Sequence, residues 1–446
     1  AMPSAKGLRG VLRSGPLLLM LGLGGIAVSM AGPSLGLTGA SGGAITDSPK
    51  EVIDQVWQIV FRDYLDSTGA YSDARWRQLR RDLLAKSYAG DEESYEAIKG
   101  MLASLDDPYT RFLDPKEFKE MRIDTSGELM GVGIQLSLDK DTKELIVVSP
   151  IEGTPASRAG VQPKDVIVSI DGAPTKGMTT EDAVKLIRGP EGTEVILGLR
   201  RKGDVLNVPL TRARIEINAV KKALNTSANG SKIGYIRLKQ FNANASREMR
   251  AAIQDLEEQD AQGYVLDLRS NPGGLLEASI DIARQWLNEG TIVSTRTREG
   301  IRDVRRATGS AITDKPMVVL IDQGSASASE ILSGALQENK RAQLVGQKTF
   351  GKGLVQAVRG LSDGSGMTVT IAKYLTPNGT DIHKNGIKPD VEAEMSEKEM
   401  REFKIENLGT PKDSQYRVAE TTLLKALENQ INEAYKPDSA NLNAAL

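Results

Sequence analysis

Cysteine is absent from this 446-residue chain, and histidine occurs once, as His383. Thiol nucleophiles, disulfides, iron-sulfur clusters and thiolate zinc sites are therefore closed to a single chain, and a His-Glu-x-x-His metal site would need a second histidine. A Ser-His-Asp hydrolase survives only with His383 as its base. Missing cysteine suits either redox compartment, so location has to come from other signals. Aromatic residues make only 4%, which offers single-stranded nucleic acid little to stack on. Neither charge predominates: 57 Lys and Arg face 59 Asp and Glu, and a net charge of -2 creates no basic field for polyphosphate. Nucleic acid is not an expected partner.

What is present has the length of roughly three domains, at about 150 residues each. Lys6, Arg9 and Arg13 precede an apolar, small-residue stretch at 17–31 that ends in Ser29-Met30-Ala31, the pattern of a secretory signal. The stretch is short for a membrane span, but an uncleaved anchor, and with it membrane association, stays open. A Gly/Ser/Ala-rich linker follows. Ser48-Pro49-Lys50-Glu51 forms a capping box, and Val52, Val56, Trp57, Val60, Phe61 and Tyr64 then recur at helical spacing. Further helices are expected over 73–87 and 91–105, with their Trp and Tyr residues as packing groups.

From about residue 127 short β-type runs take over, at 132–138, 144–148, 166–170, 195–200 and 205–210. Between them fit a short helix at 155–159 and a longer one at 180–188 with Thr180 as N-cap. From about 215 strands and helices alternate, at 232–238, 246–259, 263–268, 276–288, 317–321, 328–340 and 343–346, which reads as an α/β domain. After 391 the chain is polar and helix-prone, above all at 415–434. The expected organisation is a multidomain α/β chain: a leader and linker at 1–46, an N-terminal helical segment at 47–127, a β-rich inserted module with two helices at 128–213, an α/β core at 214–395 and a polar helical C-terminal extension at 396–446.

Met130-Gly131-Val132-Gly133-Ile134 places two glycines before a strand, where successive backbone N–H groups can form a concavity for a carboxylate. An extended peptide can add to that strand, its side chains entering a groove against the helix at 180–188. With Gly160-Val161-Gln162-Pro163-Lys164-Asp165-Val166-Ile167-Val168-Ser169-Ile170-Asp171-Gly172, this region resembles a PDZ domain over about 128–212. The resemblance implies binding of a peptide C-terminus.

The strand at 317–321 runs into Asp322-Gln323-Gly324-Ser325-Ala326-Ser327-Ala328-Ser329-Glu330, after which Ile331, Leu332, Ala335 and Leu336 share one helical face. A strand-turn-helix step exposes a side chain at a helix N-terminus, where free N–H groups favour developing negative charge. Serines at such a place serve equally as caps and small packing residues. The balance moves at Lys348-Thr349-Phe350-Gly351-Lys352-Gly353, whose flanking glycines allow close backbone approach and burial of Lys352. A free lysine is neutral about once in a thousand at pH 7.5, whereas burial shifts its pKa by up to about 3–5 units, so a desolvated Lys352 can take a serine proton. A phosphate-binding loop does not fit, because Gly353 follows the lysine where Ser or Thr is required.

Together these segments resemble the carboxyl-terminal processing peptidases, tail-specific serine proteases with a PDZ domain. The likeness runs from about residue 48 to 391. It also includes Leu105-Asp106-Asp107-Pro108-Tyr109-Thr110-Arg111-Phe112, Asp267-Leu268-Arg269-Ser270-Asn271-Pro272-Gly273-Gly274-Leu275 and Thr349-Phe350-Gly351-Lys352-Gly353-Leu354-Val355-Gln356. The resemblance implies Ser327 as nucleophile, Lys352 as base and Gln356 as the residue orienting the lysine. Backbone N–H groups of Ala328 and of Gly273 or Gly274 are the expected oxyanion donors. It further implies a module that gates the cleft, with Arg188 coupling groove to catalytic domain, although a helix-end Arg complementing the dipole is an equal reading. His383, in a polar turn, is the rival base. Within the family the chain is most similar to the cyanobacterial and chloroplast group that trims a photosystem II reaction-centre precursor, which implies export to a periplasm or thylakoid lumen. A broader tail-degrading protease and a non-catalytic PDZ adaptor are the alternatives. Nothing in the sequence calls for a metal or organic cofactor.

Overall fold

The computed structural model describes Val28–Ser29 and residues 49–139, 142–151, 153–300, 302–396, 399 and 405–434. The expected leader and linker, apart from the two-residue strand Val28–Ser29, and the expected cap Ser48 lie outside the described residues. Among the described residues no helix is long and apolar enough to cross a membrane. The chain divides into two units, one made of 1–118, 220–241 and 245–446, the other of 119–219 with 242–244.

In the first unit, helix Pro49–Asp63 turns Val52, Ile53, Val56, Trp57 and Val60 inward, the stripe that its 3.6-residue spacing dictates. Helices Asp73–Ala85 and Asp91–Ala103 pack with it. Trp57 and Trp76 satisfy their buried indoles reciprocally, each N–H donating to the other's backbone carbonyl, at 2.8 and 3.2 Å. This helical layer is not self-contained. Its core continues into Ala357, Met367 and Val369 of an antiparallel sheet formed by Leu354–Gly360, Gly366–Leu375, Thr291–Thr297 and Arg302–Arg306. Strand Arg111–Leu113 also pairs with Gly366–Leu375. The sequence reading missed this sheet for a physical reason: buried Ser294, Gln356, Thr368 and Thr370 interrupt the apolar pattern that marks a strand.

The second sheet of this unit orders its strands Val220–Thr226, Lys232–Leu238, Gly263–Asp267, Met317–Ile321, Gln343–Gly346 and Val391–Glu392. After a first antiparallel pair every neighbour is parallel. The third and fourth strands are buried along their whole length, as parallel strands covered on both faces must be. Helix Ser414–Ala434 lies against this sheet with Tyr416, Ala419 and Leu423 buried among Tyr235, Val265, Val318 and Leu320. The sequence suggested a polar helical extension after residue 395; the helix is there, and three inward side chains at i, i+3 and i+7 seat it in the core.

The second unit contains an antiparallel sheet ordered Ile134–Leu138, Leu145–Pro150, Val166–Ile170, Glu194–Arg201 and Asp204–Thr211, with Ala173–Pro174 beside the third strand. Helix Thr180–Ile187 covers it, contributing Ala183 and Ile187 to the core. Its N-cap is Thr179, one residue before the expected Thr180: Asp182 N donates to Thr179 Oγ1 at 3.1 Å and Thr179 N to Asp182 Oδ2 at 3.2 Å. Strand Ile134–Leu138 occupies one edge of the sheet, where an added strand can pair.

Candidate active site

Strand Met317–Ile321 ends at a turn that Asp322 shapes, its Oδ1 accepting from Gly324 N at 2.9 Å and Ser270 N at 2.8 Å. Three serines follow, all fully buried. Ser325 Oγ donates to Leu268 O at 2.8 Å and Ser329 Oγ to Asn271 O at 2.9 Å, so the outer two fasten the turn to residues 268–271. The middle one differs. Ser327 Oγ has no hydrogen-bond partner among the described residues, although burial normally forces one. Its backbone stands at φ 56° and ψ −114°, a left-handed conformation costing a β-carbon residue about 1–3 kcal/mol. Strain and an unused buried hydroxyl at the start of helix Ala328–Glu338 separate Ser327 from the packing serines around it.

Glu330, three residues on and fully buried, explains how the strained turn is held. Its Oε2 accepts from Ser327 N at 2.8 Å and from Lys352 N at 2.8 Å; its Oε1 accepts from Gly351 N at 2.7 Å and Thr349 Oγ1 at 2.6 Å. One carboxylate thus fastens the backbones of Ser327 and Lys352 to the same group. The sequence reading assigned Glu330 no role. Its Ser-x-x-Glu spacing was visible, but a capping box points to a helix start and not to a loop about twenty residues away.

Lys352 is 1% exposed, its Nζ 4.6 Å from the centre of the Tyr109 ring. Burial lowers its pKa to about 7, and the Arg111 guanidinium pushes the same way against the opposing pull of Asp107 and Glu330. The flanking glycine is obligatory, since a Cβ on Gly353 would sit 2.4 Å from His383 N. Gln356, on strand Leu354–Gly360, is fully buried, with Nε2 donating to Thr370 Oγ1 at 3.3 Å and Oε1 without a partner among the described residues.

Of the two candidate oxyanion glycines, Gly273 lies against the serine. At φ 101° a Cβ there would fall 2.9 Å from Ser327 Cβ and 2.8 Å from Ala326 O. Its N–H donates to Asn271 Oδ1 at 2.9 Å. Gly274 instead packs on the Phe241 carbonyl. Ala328, the first residue of the helix, presents its N–H where no preceding helical carbonyl can take it. His383 donates its backbone N–H to Asp381 Oδ1 at 2.8 Å and has a buried Nδ1 without a partner among the described residues. Burial lowers its pKa, against Asp381.

In the second unit a groove of about 70 Å³ is lined by Leu129, Gly131, Val132, Gly133, Ile134, Leu136, Ile151, Val184, Ile187 and Arg188. It contains four of the five residues expected to bind a peptide end, together with Arg188. Met130 is not on its wall; it sits in strand Glu128–Gly131 opposite Arg214.

Residues 232–393 match Peptidase family S41, and residues 146–201 match the PDZ domain. A carboxyl-terminal-processing protease of Synechocystis sp. is 47% identical over 378 residues, 84% of this chain and 87% of its own. This chain belongs to the carboxyl-terminal-processing proteases, serine peptidases of family S41. The chloroplastic carboxyl-terminal-processing peptidase 2 of Arabidopsis thaliana is 43% identical over 75% of this chain and 67% of its own. Among solved structures, a photosystem II D1 C-terminal processing protease superposes with a TM-score of 0.53 at 37% identity, covering 83% of this chain and 97% of the other. Its substrates, as for any carboxyl-terminal-processing protease carrying a PDZ domain, are proteins. The S41 match begins at residue 232, yet Tyr109 and Asp107, which flank the buried lysine, come from well before it.

Proposed function

We propose that this carboxyl-terminal-processing protease cuts upstream of protein C-termini by a Ser327–Lys352 dyad. The observation that carries the reading is a strained, fully buried serine with an unused hydroxyl, joined through Glu330 to a buried lysine whose pKa is brought down to about 7. Neutral Lys352 Nζ takes the Oγ proton as Oγ bonds to the scissile carbonyl carbon. The tetrahedral oxyanion is held by the N–H of Ala328 and of Gly273 or Gly274, the Gly273 N–H having first to leave Asn271 Oδ1. As the C–N bond breaks, the ammonium returns its proton to the leaving amine, and water then hydrolyses the acyl-enzyme.

The groove of the second unit supplies tail recognition: a peptide pairs with Ile134–Leu138 while its terminal carboxylate meets the backbone of Gly131, Val132 and Gly133. The proposed substrate is the C-terminal extension of a photosystem II reaction-centre precursor and the proposed location a periplasm or thylakoid lumen, a reading supported by the likeness to a photosystem II D1 C-terminal processing protease and to cyanobacterial and chloroplastic relatives. The test is mass spectrometry of a precursor ending in an apolar tail, of its C-terminal amide and of an unrelated apolar-tailed protein, with the Ser327→Ala chain as control. A single cut in the precursor is expected, with kcat/KM about tenfold or more lower for the amide, since a charge-assisted contact contributes about 1.5–3 kcal/mol. Equal degradation of the unrelated protein would favour a general tail-specific protease, and binding without cleavage would favour an adaptor.

Arg188, on the groove wall, is the proposed carrier of occupancy to the catalytic unit. Arg188→Ala is expected to slow long, tail-bearing substrates several-fold and leave short peptides that miss the groove unchanged. Unchanged rates at every length would end the gating role.

A further inference from the structure

Asp107 is 6% exposed and lies in the segment that leads into strand Arg111–Leu113. Its Oδ1 accepts from Tyr109 N at 2.9 Å; its Oδ2 accepts from Thr110 Oγ1 and from Thr370 Oγ1, both at 2.7 Å. Thr370 Oγ1, having given its proton to Asp107, is free to accept, and Gln356 Nε2 donates to it at 3.3 Å. Gln356 and Thr370 are paired across neighbouring strands, so their side chains share a face. The chain Asp107–Thr370–Gln356 therefore fixes which way the amide points and leaves Oε1 as its buried end, without a partner among the described residues. The same carboxylate closes the turn that carries Tyr109, whose ring lies 4.6 Å from Lys352 Nζ, and Thr368 Oγ1 pins that turn by donating to Tyr109 O at 2.7 Å.

We propose that Asp107 is a positioning residue for catalysis: through Thr370 it orients the Gln356 amide, and through its own turn it holds the Tyr109 ring as the platform on which the Lys352 amine rests. This rests on the dyad reading. The arrangement gives the N-terminal segment a chemical task in a site whose nucleophile and base both lie more than two hundred residues later. A neutral phenol suits that task, since burial, Asp107 and Glu330 all push the Tyr109 hydroxyl pKa up and keep it protonated. The charged groups facing Lys352 are Asp107 and Arg111 from this segment and Glu330 from the helix; His383, near Asp381, Lys373 and Lys384, faces Asp107 in turn.

The experiment compares Thr370→Val, Thr370→Ser, Asp107→Asn and Tyr109→Leu with the parent chain, reading kcat, KM, melting temperature and the pH profile on a cleavable tail substrate. Thr370→Val keeps shape and removes the relay; kcat is expected to fall about 10- to 100-fold with KM within about twofold, as misplacement by about an ångström does. Thr370→Ser should recover most of that loss. Asp107→Asn removes a charge that favours the ammonium, so its acid limb should move to lower pH, a shift that loosened packing does not produce. Tyr109→Leu should lower kcat without raising KM. Parental kcat in Thr370→Val, or an unmoved acid limb in Asp107→Asn, overturns the relay. Lys352→Met, run alongside, reads the dyad separately: if it cuts as fast as the parent, the dyad itself fails, whereas an inactive Lys352→Met beside a fully active Thr370→Val leaves the dyad standing without the relay.

Discussion

Lys352→Met should lower kcat/KM on tail substrates by at least about a thousandfold at pH 7.5 while leaving the folded protein as stable as the parent or more so. The first half follows from the base's role proposed for Lys352, whose lowered pKa lets it accept a proton near neutral pH. The second half comes from the electrostatics of burial. A lysine 1% exposed, with its pKa brought down to about 7, binds its proton less readily in the folded chain than in the unfolded one. The unfolded state therefore holds the extra proton between about pH 7 and pH 10.4, and stability rises with pH across that window. Near pH 7 and below, almost the whole penalty of about 4 kcal/mol is present. Methionine has a similar volume and no such penalty, so the gap in stability should be widest near pH 7 and close towards pH 10. Thermal melts at pH 7 and 9 check the sign. The parent's kcat/KM should fall about tenfold per unit below pH 7, as the amine takes up its proton. An active Lys352→Met, or one that melts well below the parent, would contradict the account.

How far the site was legible in the sequence depends on what each residue's signal was. The serine turn at 325–329 stood out because strand, turn and helix are contiguous, and Lys352 as candidate base because glycines bracket it; the resemblance alone implied Ser327 among the three. The separation of Ser327 from Ser325 and Ser329 could not be read from spacing: it is a matter of which hydroxyls find acceptors in residues 268–271, and that requires the parallel sheet to be assembled. Glu330 was hidden by a local explanation that is half true, since its carboxylate does accept from Ser327 N but also bonds the lysine loop. Asp107 and Thr370 were hidden because strands Arg111–Leu113 and Gly366–Leu375 pair over a separation of more than 250 residues. Secondary structure fared best where apolar runs are continuous, as at Met317–Ile321, and worst where buried polar side chains serve the site.

Arg269→Met should destabilise the protein by about 3–5 kcal/mol, a large part of the 5–15 kcal/mol by which a domain is ordinarily stable. Arg269 is buried and shared by two carboxylates that have no exposure of their own. Its Nη2 donates to Asp267 Oδ2 at 2.6 Å and Asp413 Oδ2 at 2.7 Å, its Nη1 to Asp413 Oδ1 at 3.0 Å and Gln415 Oε1 at 2.9 Å, and its Nε to Asp267 Oδ1 at 3.0 Å. Asp267 ends a central strand and Asp413 immediately precedes helix Ser414–Ala434, so this fork joins the C-terminal helix to the turn that carries Gly273. Burial works to raise the Asp267 pKa, and Arg269 overrides it, holding the carboxyl below its usual range. In the parent, that contribution is fully present above about pH 3.9 and is lost as pH falls through the lower folded value. Without the guanidinium the sign reverses for Asp267: burial is left to favour its protonated form, and the variant loses stability as pH rises. The difference between parent and Arg269→Met should thus widen from pH 4 to pH 7 in denaturant titrations, and adding Asp267→Asn and Asp413→Asn should recover part of it. A difference that stays constant with pH would mean that the fork acts through packing alone.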